Sequence, residues 1–297
     1  MSASTPAEQP EPEGAARRSP LTGWGPLLPL AVVVIALGLV IFIPSLYSDP
    51  NGLDPYTLRA SGVSLVLFGV VALVPGLKPS RLVVLGVATV AVSWSAFLGA
   101  PTVLADLGVQ QTGDQANLYA SIAWFGVTAV VLGIIWLVVR RDRPQLRLLS
   151  YRPAAIAITV AGLALFFLVV LLIPASLLGR EGLPIVALGR DAPWLVPANM
   201  LQGLAQELQF RGLLLGSLEK LTTPFRANLV QAVVFGLAHL AIVYQGPIAP
   251  FVPFTMVLGF LFGYVTQRTR SLWPAIIIHG VADVAATLGV LPGLYGY

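Results

Sequence analysis

Apolar residues run along this chain in long blocks. They show neither the period of two of a half-buried strand nor the narrow stripe of a soluble helix. About nine blocks are long enough, or nearly so, to cross a hydrocarbon core of about 30 Å, which takes about 20 helical residues. They fall at 27–46, 58–76, 82–104, 118–139, 154–178, 195–218, 227–243, 251–267 and 271–290. Pro247, Pro250 and Pro253 crowd the connection between the seventh and eighth, so the last three have the least distinct ends. Strands of a membrane barrel would alternate apolar and polar residues, and these blocks do not. The pattern predicts an all-α, polytopic integral membrane helical bundle. Residues 1–26 differ from the rest: Glu8, Glu11, Glu13, Arg17 and Arg18 lie among Pro, Ala, Ser and Gly with no apolar period. That stretch reads as a disordered polar tail. The block after it starts late and is too long for a leader's apolar core, so it reads as a retained anchor.

Composition agrees. Of 297 residues 57% are hydrophobic and only 10% charged, against about 25% charged in a soluble domain. So few charges cannot coat a water-exposed globule. The net charge of +4 raises nucleic acid as a partner, and the placement of the cations answers it. With the amino terminus in the cytoplasm, the inner segments hold Arg17, Arg18, Lys78, Arg81, Arg140, Arg141, Arg143, Arg147, Arg152, Lys220, Arg226, Arg268 and Arg270. The outer loops hold Arg59, Arg180 and Arg190. This is the positive-inside bias of a multi-pass cell-membrane protein, and the basic charge records topology and lipid contact. No nucleic-acid partner is expected. There is no cysteine, which removes thiol chemistry and disulfides. The basic loop 140–153 divides the chain into a four-helix region, 27–139, and a five-helix region, 154–297. The two do not repeat one another, which speaks against an inverted-repeat transporter.

Five ionisable residues fall well inside the expected spans: Glu207, Arg211, His239, His279 and Asp283. All lie on the sixth, seventh and ninth. A charge at mid-bilayer costs at least about 2.5–3.5 kcal/mol, so each needs a partner or a wet cavity. Glu207 and Arg211 are four apart on one helical face, in the favourable order; the plain reading is a neutralising pair that lets a polar helix insert. His279 and Asp283 are also four apart, a carboxylate holding a histidine. His239 has no ionisable residue on its own helix, so its partner is expected on another segment. Imidazoles and carboxylates suit the base and orienting roles of a hydrolase. Two histidines with a carboxylate also suit a divalent metal such as zinc with an open position for water, His239 and His279 being the nitrogen ligands. Serine chemistry is disfavoured: Ser217 lies at the end of its segment, and no strand–turn–helix elbow exists here.

Three motifs carry a resemblance. They are Gln206-Glu207-Leu208-Gln209-Phe210-Arg211, Phe235-Gly-Leu-Ala-His239 and His279-Gly-Val-Ala-Asp283, the last preceded by Arg270-Ser-Leu-Trp-Pro274. In this order, over about residues 195–290, they resemble the CPBP family of intramembrane proteases. That family includes the CAAX prenyl endopeptidases and bacteriocin-processing proteins. Its pattern is Glu-Glu-x-x-x-Arg, Phe-x-x-x-His and His-x-x-x-Asn or Asp. The resemblance implies a peptide or membrane-associated protein as substrate. It implies a water-activating carboxylate at position 206 helped by His239, and oxyanion stabilisation by His279 and Asp283. A metal-dependent scheme exists for the family as well.

The chain departs from that pattern at Gln206. An amide orients water but cannot take its proton, and a lost general base costs about 10²–10⁴-fold in rate. Glu207 lies about 100° around the helix and is expected to be committed to Arg211, and Asp283 is the other carboxylate. The expected function is an intramembrane endopeptidase. The alternatives are a catalytically impaired relative that binds peptides or membrane proteins and, behind it, a transporter. Gly212 with Gly216, and Gly259 with Gly263, have the spacing that lets helices pack closely.

Overall fold

The computed structural model describes residues 81–139, 146–148, 153–172, 188–239 and 248–285. The expected tail at 1–26 and the spans at 27–46 and 58–76 lie outside them. The described chain is helical throughout, with no strand among the described residues. Helix α1 is Arg81–Asp106, α2 Gly113–Val138, α3 Pro153–Leu172 and α4 Leu188–Glu207; α4 runs on through a π-helical stretch, Leu208–Leu215, to a closing turn, Gly216–Leu218. Then come α5 Pro224–Ala238, α6 Ile248–Thr269 and α7 Trp273–Ala285. Each apolar block within the described residues is therefore a helix. Two of them, Arg81–Asp106 and Gly113–Leu137, are long and apolar enough to cross a membrane; Pro153–Leu168 and Trp273–Val284 are shorter apolar helices.

Local chemistry sets several ends. Thr112 starts α2 with a capping box: its hydroxyl accepts from the Gln115 amide, and the Gln115 side chain accepts from the Thr112 amide. Two orphan backbone donors are thus satisfied at once. Thr223 caps α5 with its hydroxyl alone, which accepts from the Arg226 amide, and Pro224 stands at the first turn, where no hydrogen bond is lost. The π-helical stretch is where the structure departs from the uniform helix expected over 195–218. It opens directly after Glu207, and widened turns of this kind cluster at functional positions.

Helix α1 is largely buried against α2 and the π-helical stretch. Val83, Val84, Val87, Val90, Ala91 and Trp94 are buried against Trp124 of α2, Phe210 and Leu214 of the π stretch, and Phe235 of α5. Trp94 stacks at 4.5 Å on Trp124, with Phe97 edge-on to both. Helices from the region before the basic loop therefore form one core with the site-bearing helices. Outer faces are apolar instead: Val130, Ile134 and Leu137 on α2, Val160, Leu165 and Leu168 on α3, and Val257 and Leu261 on α6 are exposed. A surface this greasy is matched to lipid, not to water.

Two close approaches bring the site together. Gly203 of α4 and Gly280 of α7 meet backbone to backbone; a Cβ on Gly203 would stand 2.8 Å from the Gly280 nitrogen. The sequence does not flag this pair, because its members are far apart in the chain. At one end of the bundle, Arg147 of the basic loop donates to Glu219 at 2.6 Å, Gln267 donates to the other oxygen of Glu219 at 2.8 Å, and Trp273 Nε1 donates to the Leu148 carbonyl at 2.7 Å. The end of the site helix, the end of α6 and the start of α7 are tied there by one short piece of loop.

Replacing Gly203 by Val should force α4 and α7 apart and cost about 1–3 kcal/mol, the usual range for overpacking. Gly126→Ala, at a position where a Cβ meets nothing within 4 Å, should be neutral or stabilising. Thermal unfolding of the two variants in lipid nanodiscs checks both.

Candidate functional site

Glu207 ends α4, fully buried, and its Oε1 atom has two partners. Arg211 Nη1 donates to it at 2.8 Å from one turn further along, and His279 Nδ1 of α7 lies 2.7 Å away. The sequence-level pairing of Glu207 with Arg211 is observed, and His279 joins it from another helix. The Gly203–Gly280 crossing makes this third contact possible, since it lets α7 approach α4 one residue from His279. On its far side, His279 Nε2 faces Asp283 Oδ2 at 3.5 Å. The imidazole thus stands between two carboxylates. The Glu207 side chain is 0% exposed, whereas that of Asp283 is 20% exposed.

Arg211 is as deeply buried as Glu207. Its guanidinium carbon lies 4.2 Å from the centre of the Phe235 ring, 5.2 Å from Phe262 and 5.9 Å from Phe210. Ring faces attract a cation, by about 2 kcal/mol or more when it is desolvated. Its Nη2 donates to the Gly259 carbonyl of α6 at 3.1 Å. One side chain therefore spans the site helix, α5 and α6. The planar fork of arginine suits this, whereas lysine would offer a single point charge.

His239 caps the end of α5 and is partly buried. Its Nδ1 faces the Phe235 carbonyl of its own helix at 2.7 Å. A carbonyl only accepts, so Nδ1 carries the hydrogen, and in the neutral ring the lone pair sits on Nε2. The Phe235 ring lies 4.6 Å from the His239 ring and 5.7 Å from the His279 ring. The two histidines of the chain thus share one aromatic neighbour. Phe262 stacks on the other face of His279 at 5.1 Å. Gln206, next to Glu207, is buried, with 8% of its surface open.

The described residues contain no group of three or more His, Cys, Asp or Glu side chains placed to hold a metal ion. His239 and His279 both turn Nδ1 toward an oxygen, and the second nitrogen of His279 faces Asp283. Such Nδ1 contacts to an oxygen are also the ones that metal-ligating histidines make.

Sequence reasoning did not identify the amides around the site. Gln202 donates to Asn117 at 3.0 Å and Ser121 at 2.9 Å, and Gln209 donates to Thr128 at 2.6 Å, which in turn bonds Ser93 at 3.0 Å. These join α4 and the π stretch to α2 and α1. Asn228 and Gln231 of α5 were missed too. The one signal toward them was the Gly259–Gly263 spacing on the facing helix.

Arg211→Met should lower stability by about 3–5 kcal/mol, because it leaves the buried Glu207 carboxylate without its cation. Glu207→Gln combined with Arg211→Met should cost less than the sum of the single changes. Denaturation of the four proteins in one detergent measures the coupling.

Comparison with known proteins bears on the same stretch. Residues 189–285 match the family described as Rce1-like, type II CAAX prenyl endopeptidase. The Bacillus subtilis (strain 168) protein named "Putative membrane peptidase YdiL" is 22% identical over 184 residues, covering 57% of this chain and 72% of its own length. No solved structure matches the chain. All six candidate side chains, from Gln206 to Asp283, fall within residues 189–285, the stretch that matches the Rce1-like family, and this match supports the resemblance to CPBP proteases.

Proposed function

We propose that this protein is an intramembrane endopeptidase that hydrolyses a peptide bond of a membrane-associated protein or peptide, with His239 as the general base. The observation that carries the reading is the different setting of the two histidines. His239 gives its Nδ1 hydrogen to the Phe235 carbonyl at 2.7 Å, so Nε2 is the atom able to take a proton from water. His279 lies within reach of a carboxylate on each side, so its ring is set as a hydrogen-bond donor, the role an oxyanion calls for.

In this scheme the Gln206 amide orients the attacking water and His239 Nε2 accepts its proton. The hydroxide adds to the scissile carbonyl, and the negative oxygen is met by the His279 ring. His239 then returns the proton to the leaving amine. Glu207 and Arg211 hold His279 in place and stay out of proton transfer; Glu207 is sealed from solvent, with both its charged partners on one oxygen. Nine membrane spans, the cytoplasmic amino terminus and the cell membrane as location belong to the same reading, supported by the distribution of Lys and Arg.

One observation favours a second reading, a relative that binds peptides without cutting them: Gln206 stands where the family pattern has a carboxylate. Reconstituted protein presented with a peptide library separates the two. Cleavage by the wild type, lost by about 10²–10⁴-fold in His239→Gln, supports the peptidase. A wild type that cuts nothing beside a Gln206→Glu variant that does would establish the impaired relative.

A further inference from the structure

Beside the ionic cluster lies a second buried polar group that none of the three motifs contains. Gln231 of α5 is fully buried, and Asn228, one turn earlier, is nearly so. Asn228 Nδ2 donates to the Phe260 carbonyl at 2.9 Å. Gln231 Nε2 donates to Asn228 Oδ1 at 2.7 Å and to the Gly259 carbonyl at 2.8 Å. The orientation of both amides follows from their partners. A backbone carbonyl only accepts, so each amide must turn its NH2 toward one, and the Asn228 oxygen is left for Gln231.

The Gly259 carbonyl is also the acceptor for Arg211 Nη2 at 3.1 Å. One oxygen therefore joins the guanidinium that holds Glu207 to an amide pair on the neighbouring helix. It is open to donors from the side for a reason in the sequence. Side chains in a helix lean toward its amino terminus, so the residue four further on covers a given carbonyl. Here that residue is Gly263. A Cβ added to it would overlap the Asn228 oxygen and lie 2.8 Å from Gln231 Nε2. Gly259 itself leaves room for Phe235, whose ring a Cβ there would meet at 2.8 Å. The Gly259–Gly263 spacing is thus a notch that receives two amides and one aromatic ring, more specific than generic helix packing.

We infer that Gln231, braced by Asn228, is a positioning residue of the site: through the Gly259 carbonyl it fixes the Arg211 guanidinium over Phe235, and so the Glu207 carboxylate that orients His279. Without the Gln231 donor, Arg211 is free to slide along the carbonyl and swing its fork. The Glu207–His279 contact then loses its aim, while the buried ion pair survives. This inference rests on the peptidase reading for its effect on turnover; its effect on Arg211 does not depend on that reading.

The test uses the full chain in nanodiscs, with Gln231→Leu and Gln267→Leu as the variants. Gln267 is an amide at the far end of the bundle, bonded to Glu219. On a substrate chosen from the peptide library, Gln231→Leu should lower kcat about 10- to 100-fold, the scale of a small misplacement, with KM and Tm close to wild type. Gln267→Leu should leave kcat unchanged. In protein labelled with [15N]arginine, the Arg211 Nε–H resonance, identified by its loss in Arg211→Lys, should shift or broaden in Gln231→Leu and stay in place in Gln267→Leu. A moved resonance in a protein that cuts no peptide upholds the positioning role and removes the peptidase. Cleavage with kcat and resonance both unaltered in Gln231→Leu overturns the positioning role and leaves the peptidase standing. A fall in kcat that tracks a fall in Tm, with the resonance unmoved, also overturns it.

Discussion

A carboxylate sealed inside an apolar bundle is tolerable only if opposite charge and hydrogen bonds replace the water it has lost. Glu207 meets that demand with one oxygen, on which Arg211 and His279 converge from one turn away and from another helix. Everything else at the site follows from keeping those two donors in place. Arg211 needs its second amine occupied, which brings in the Gly259 carbonyl, and it needs apolar surface that tolerates a cation, which brings in three phenylalanine rings. His279 needs α7 to touch α4, which glycine at 203 permits, since a Cβ there would meet the Gly280 backbone at 2.8 Å.

The site divides the labour between its histidines by geometry alone. His239 spends one nitrogen on its own helix backbone and keeps a lone pair on the other, whereas His279 is flanked by acids on both sides. Both rings pack against the Phe235 ring. An acceptor and a donor of opposite character are what the proposed hydrolysis calls for. The π-helical stretch that opens right after Glu207 lies within this arrangement. Its fully buried face, Leu208 to Leu215, packs on α1 and so anchors the site to the middle of the bundle.

Much of this was legible along the chain because the membrane makes exceptions conspicuous. In a chain with 10% charged residues, two acids, an arginine and two imidazoles within long apolar blocks stand out, and each demands a partner. The four-residue spacings of Glu207 with Arg211 and of His279 with Asp283 could be read as shared helix faces. The contact of His239 Nδ1 with the Phe235 carbonyl was not legible, because a backbone carbonyl has no side-chain signature. Gln231 and Asn228 were passed over because buried amides are ordinary in polar segments and neither carries charge.

The sequence by itself determined that the described chain is helical, that its surface suits lipid and that Glu207 shares a helix face with Arg211, and His279 with Asp283. Those properties depend on residue type and on spacing within a helix, which three or four positions are enough to specify. The tertiary structure alone decided which oxygen of Glu207 takes both donors, which nitrogen of His239 keeps its lone pair and which carbonyl Arg211 and Gln231 share. Each depends on where one helix crosses another, and crossings are set by glycines and aromatic rings far apart in the chain.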